Sequence, residues 1–93
     1  PVFRTHPETK KKALFVTQAF VERIEGLSDK ESQETLAKLY VQASDKKFRY
    51  EHKWHNGDVV VWDNRCVQHF AVHDHGDETR TLHRITVSGS KPY

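Results

Sequence analysis

The chain has no methionine and a single cysteine, Cys66, and only four glycines and three prolines interrupt its 93 residues. One cysteine excludes an internal disulfide framework and a multi-cysteine zinc site, and a lone thiol is expected to be a small buried residue in a reducing compartment. No stretch approaches the ~20 apolar residues of a membrane span, and no charged-then-apolar start resembles a secretory signal, so a soluble cytoplasmic protein is expected. There is no Gly-rich phosphate loop, no His-Glu-x-x-His and no Gly-x-Ser-x-Gly. A dominant charge is lacking too: 15 basic and 13 acidic residues are interspersed apart from Lys10-Lys11-Lys12, which argues against a nucleic acid partner. With 35% hydrophobic and 30% charged residues, any core is modest for the length. The missing initiator and the apolar start Pro1-Val2-Phe3 lead us to expect a piece of a longer protein.

What is present is patterned. Ala13-Leu14-Phe15-Val16 suits a short buried strand, and Phe20 to Ile24 is either a second short strand or irregular. Ser28 followed by Glu31 forms a capping box, with Asp29 in the first turn to suit the helix dipole. A helix is predicted from 29 to about 43, with Leu36, Leu39, Tyr40 and Ala43 on one apolar stripe. Phe48 to Trp54 alternates aromatic-type residues with charged ones, the period of a half-buried strand. His55-Asn56-Gly57-Asp58 supplies a hairpin turn, and Val59-Val60-Val61-Trp62 reads as a strand buried on both faces. A loop covers Asp74 to Glu78, a last strand runs from Thr79 to Val87, and an irregular tail follows.

On that last strand, spacing two puts Arg80 and Arg84 on one face, roughly 13 Å apart at ~3.3 Å per residue. Their permanently charged forks suit carboxylates or sulfonates, or they decorate a solvated face with surface ion pairs. His69 lies between Cys66-Val67-Gln68 and Phe70-Ala71-Val72 and is expected to be at least partly buried. It is either a metal-ligating imidazole or a hydrogen-bonded core histidine. His75-Gly76-Asp77 formally completes a two-histidine, one-carboxylate set with His69. All three groups would come from one nine-residue stretch with a glycine at its turn, which strains a facial arrangement. His6, His52, His55 and His83 show no partner pattern.

The motifs Trp62-Asp63-Asn64-Arg65, Gln68-His69-Phe70-Ala71, Gly76-Asp77 and Arg80-Thr81-Leu82-His83-Arg84-Ile85-Thr86-Val87-Ser88-Gly89 resemble the C-terminal part of the TauD/TfdA family of iron(II)- and 2-oxoglutarate-dependent dioxygenases. The likeness is to the taurine dioxygenase and alkylsulfatase branch. It extends upstream through Arg4-Thr5-His6-Pro7, Ala13-Leu14-Phe15-Val16, the Ser28-Asp29-Lys30-Glu31-Ser32 helix start and Trp54, and so covers essentially the whole chain.

The resemblance implies that His69 is the distal histidine of an Fe(II) site, that Arg80 pairs with the distal carboxylate of the cosubstrate 2-oxoglutarate, and that Arg84 helps bind a substrate sulfonate or sulfate. It further implies that Phe20 packs against the substrate and that Trp62 lies near the metal. The family's other two ligands form a His-x-Asp unit far upstream of the distal histidine, with no counterpart in that order among the residues before His69. The implied fold is mainly β with a covering helix, a partial double-stranded β-helix or jelly roll, in which residues 1–93 are the C-terminal segment of a larger domain.

The implied reaction consumes O2 and 2-oxoglutarate, hydroxylates the carbon next to the sulfur-bearing group, and yields succinate, CO2, an aldehyde and sulfite or sulfate. The expected partners are a small sulfonate or sulfate ester and the remainder of the same protein, with neither nucleic acid nor membrane; assembly as a homo-oligomer stays open. The competing expectation is a non-catalytic anion-binding or interaction domain that keeps the arginines without a complete metal site.

Overall fold

The computed structural model describes all residues from Pro1 to Tyr93. Its first elements are two three-residue strands, β1 (Phe3–Thr5) and β2 (Lys12–Leu14), paired antiparallel with Phe3 opposite Leu14, Arg4 opposite Ala13 and Thr5 opposite Lys12. The loop between them is closed by His6 N donating to Lys11 O at 2.8 Å and Lys10 N donating to His6 O at 2.9 Å. Lys10 takes φ 60° to make that closure, a left-handed conformation that costs a non-glycine residue about 1–2 kcal/mol. On the other edge of β1, Thr5 N donates to Tyr93 O at 2.7 Å and the Arg4 guanidinium donates to Ser90 O at 3.2 Å, so the tail shields the hairpin.

The helix α1 spans Asp29–Ala43, the bounds that capping and periodicity predict. Both halves of the capping box form: Ser28 Oγ accepts from Glu31 N at 3.3 Å, and Glu31 Oε2 accepts from Ser28 N at 3.1 Å and from Ser28 Oγ–H at 2.7 Å. These donors also hold the Glu31 carboxyl below its ordinary range. On the inner stripe Leu36 is buried and Leu39 and Tyr40 are half-buried, while Ala43 is exposed. The deepest side chain of all is Ser32, whose Oγ accepts from Ile24 N at 2.7 Å and fastens the helix to the preceding loop. Phe20 to Ile24 is irregular, and a 3-10 turn at Lys46–Phe48 follows the helix. No helix is long and apolar enough to cross a membrane.

The strands expected over 48–54, 59–62 and 79–87 do not form: no element follows the 3-10 turn, so these 93 residues are not mainly β. An extended segment becomes a strand only when a neighbour takes up its N–H and C=O groups, and no neighbouring segment here does so. The local pattern is nonetheless expressed. Tyr50, His52 and Trp54 stand in a row, with ring centroids 6.1 and 4.8 Å apart in turn, as spacing two on extended backbone requires. The Asn56-Gly57 turn is present, with Gly57 at φ 90° and Asp58 N donating to His55 O at 3.1 Å.

Only five residues are buried, and just two of them, Val16 and Leu36, are hydrophobic. Val59 and Val61 are 85% and 88% exposed, which corrects the expectation of burial on both faces. The radius of gyration is 16.0 Å, against about 12 Å for a compact domain of this length. The chain is therefore an open arrangement around a small hairpin and one helix. Removing the cap with Ser28→Ala is expected to lower the unfolding free energy by about 1 kcal/mol, measured by urea denaturation of the protein that contains this segment, with no shift in the helix bounds.

Candidate functional site

The turn after Trp62 is built by its own side chains. Asp63 Oδ1 accepts from Arg65 N and Arg65 Nε, each at 2.9 Å, while Asp63 Oδ2 accepts from Arg65 Nη2 at 2.7 Å. Asp63 O accepts from Cys66 N at 3.1 Å and from Val67 N at 2.9 Å, which completes the turn. Two residues of the hairpin loop then hold it: His6 Nε2 donates to Asp63 Oδ2 at 3.1 Å, and Arg65 Nη1 donates to Glu8 Oε1 at 2.8 Å.

The Arg65 guanidinium, with smaller help from His6, holds the Asp63 carboxyl far below the usual carboxylate range. It lowers Glu8 in the same way, and the two carboxylates together push the Arg65 pKa up. None of these four residues is singled out by the sequence as a site. The Asp63-x-Arg65 spacing is a local signal for the turn, but its pairing with His6 depends on tertiary structure.

Beyond the turn, Gln68 Nε2 donates to Val16 O at 2.8 Å, and His69 follows. His69 lies 4.8 Å from Trp62, ring centre to ring centre, with the planes tilted by 42°. Trp62 is itself fixed by donating from Nε1 to Asn64 Oδ1 at 2.8 Å. A cleft of about 1060 Å³ opens beside this pair, walled by the 14–25 and 64–69 segments, with Phe15, Val16, Phe20, Cys66, Gln68 and His69 in its lining.

The structure thus brings His69 and Trp62 into contact and sets Phe20 across the same cleft. Arg80 and Arg84 are not in its lining, and neither lies on a strand. Arg80 donates to Val72 O at 3.3 Å and Arg84 is exposed. His69, expected to be at least partly buried, and Cys66, expected to be buried, are both exposed, because no second layer covers residues 66–72.

Neither ring nitrogen of His69 makes a hydrogen bond, so its imidazole fits one position of a nitrogen-and-oxygen metal site. It fits no more than one. His69, His75 and Asp77 do not come together as a donor set. The three donors that do converge, within 4.8 Å of one another, are His6, Asp63 and Cys66. There Asp63 is already engaged by His6 and by both sides of the Arg65 fork, and that neighbouring guanidinium opposes a second cation.

The folded pKa of Asp63 lies below its ordinary 3.8, so the stability it contributes is complete above that value and is lost as the pH falls below it. Stability curves of wild type and Asp63→Asn are therefore expected to converge on acidification from about pH 5 to about pH 2. Parallel urea midpoints across that range would count against the network.

The chain matches the family model described as "Taurine catabolism dioxygenase TauD, TfdA family" over residues 1–86. It is 42% identical over 89 residues to a protein named alkylsulfatase from Acinetobacter baylyi, covering 96% of this chain and 28% of that protein. A Pseudomonas putida protein named alpha-ketoglutarate-dependent sulfate ester dioxygenase is 39% identical over 92 residues, covering 99% and 30%. A 2,4-dichlorophenoxyacetate dioxygenase from Cupriavidus pinatubonensis is 40% identical over 86 residues, covering 92% and 30%. The chain spans less than a third of the length of these relatives, and no solved structure matches it. With the hairpin, the helix and the His69 segment all inside the matched range, the chain belongs to the TauD/TfdA family.

Proposed function

We propose that residues 1–93 are part of an iron(II)- and 2-oxoglutarate-dependent dioxygenase that acts on a sulfate ester or a sulfonate. The observation that carries this reading is the family match across residues 1–86, which contains the unpartnered His69 imidazole and both candidate anion receptors. Relatives named for sulfate esters, sulfonates and 2,4-dichlorophenoxyacetate share an anionic group in their named substrates, the chemistry an arginine fork recognises.

The domain as a whole is read as a jelly roll. Val59 and Val61 are exposed at spacing two, as are Ile85 and Val87 at 93% and 89%. In this reading these extended segments become strands only against a second sheet, which would cover their apolar side chains.

In this reading iron(II), when bound, couples oxidative decarboxylation of 2-oxoglutarate by O2 to hydroxylation of a substrate C–H. His69 supplies one nitrogen ligand, and Trp62 holds its ring. Arg80 holds the far carboxylate of 2-oxoglutarate, and Arg84 holds the substrate anion. Phe20 gives the cleft an apolar wall against the carbon chain. Hydroxylation next to the sulfur-bearing group leaves an unstable product that collapses to an aldehyde, with sulfate leaving from an ester or sulfite from a sulfonate.

Succinate release by the full-length protein, screened against sulfate esters, sulfonates and aryloxyacetates with iron(II) and 2-oxoglutarate, tests the reading. Turnover of a sulfate ester or sulfonate is expected, and silence across all three classes would sink it. His69→Ala is expected to abolish iron-dependent succinate formation. Arg80→Ala is expected to raise the KM for 2-oxoglutarate by roughly 10- to 100-fold, the worth of a charge-assisted contact. Arg84→Ala is expected instead to uncouple succinate release from substrate loss. Equal effects of both arginine changes on both ligands would refute this division of labour.

A further inference from the structure

We propose that His6 is a positioning residue for His69, acting through Asp63 and Arg65; the inference rests on the reading of His69 as a metal ligand. His6 is one of the few buried residues, 8% exposed, and both of its ring nitrogens are committed. Nδ1 accepts from Glu8 N at 3.3 Å and from Thr9 N at 3.2 Å, which leaves Nε2 to carry the proton it donates to Asp63 Oδ2. The ring cannot turn over or exchange tautomers without breaking two bonds to backbone N–H groups, so the hairpin loop presents a donor of fixed direction.

Asp63 receives that donor and in turn sets the backbone that leads to His69. It ties down Arg65 N, Cys66 N and Val67 N, and Gln68 is then anchored on Val16 O. His69, by contrast, has no hydrogen bond of its own. Its direction is inherited from the turn behind it and from the Trp62 ring beside it. Arg65, bracketed by Asp63 and Glu8, makes the attachment two-pronged and so fixes rotation as well as position. Neither His6, Glu8, Asp63 nor Arg65 lines the cleft. From outside the lining, the network acts by aiming the imidazole. A metal bond is directional, and partners that orient a ligand are worth about 10- to 100-fold in metal affinity.

The test uses the full-length protein under anaerobic conditions, with cobalt(II) as the probe metal and its ligand-field absorption as the readout. His6→Phe keeps the ring volume and removes both nitrogens. It is expected to weaken cobalt binding by about 10- to 100-fold and to alter the absorption bands. His6→Gln, whose side-chain amide can still donate to Asp63, is expected to recover most of the affinity.

Asp63→Asn decides the matter if His6→Phe does not fold. Either amide orientation sets its NH2 against an N–H of His6 or Arg65, so the same loss is expected. A merely structural role would lower Tm and leave cobalt affinity and spectrum unchanged in the folded variants. That result, with binding lost in His69→Ala, would overturn the inference and leave the dioxygenase reading standing. Wild-type cobalt affinity in His69→Ala would overturn both.

Discussion

The hydrogen bond from His6 to Asp63 joins two stretches of chain 57 residues apart, and the rest of the site follows from it. On one side stands the short hairpin, whose loop locks the imidazole by two backbone donors. On the other stands a turn closed by its own aspartate and arginine. Neither part is stable by size: the strands have three residues each, and the hydrophobic core is Val16 and Leu36. Polar geometry therefore does work that a larger domain assigns to apolar packing. It can do so because the Arg65 and Asp63 side chains keep about a third of their surface in water, which spares them the full desolvation cost of a buried pair.

The sequence made the helix legible down to its ends, because everything that defines it is local. Ser28 and Glu31 sit three apart, and the apolar stripe repeats every turn. What the pattern missed was Ser32, a polar residue at an inner position, buried because its hydroxyl takes up the backbone N–H of Ile24 in the preceding loop. The strands were legible only as alternation. Residues 50, 52 and 54 do share a face, yet hydrogen-bond pairing is a property of two segments, and one segment's periodicity cannot supply its neighbour.

The candidate site divides along the same line. His69 stood out from its own surroundings as well as from the family likeness, Trp62 and Phe20 from the likeness alone; His69 and Phe20 line one cleft, and Trp62 lies against the His69 ring outside that lining. The partly buried His69 and the buried Cys66 were expected from apolar flanks, but flanks bury a residue only where a second layer covers them, and both are exposed. The His6–Asp63–Arg65–Glu8 network had no sequence signature beyond the aspartate and arginine two apart. Arg4 belongs to a segment of the family likeness but was given no role: it is buried, its guanidinium lies 5.1 Å over the Phe15 ring, and its Nε has no hydrogen-bond partner. The aromatic face offsets part of that isolation.

The bond from Gln68 to Val16 is the one hydrogen bond between the two walls of the cleft. It stands next to His69 on one wall and four residues before Phe20 on the other. A bulky guest that pushed the walls apart would load this single tie first, and the load would pass directly to the backbone of the neighbouring histidine. The width of the cleft and the placement of the His69 backbone are thus mechanically linked through one side-chain amide.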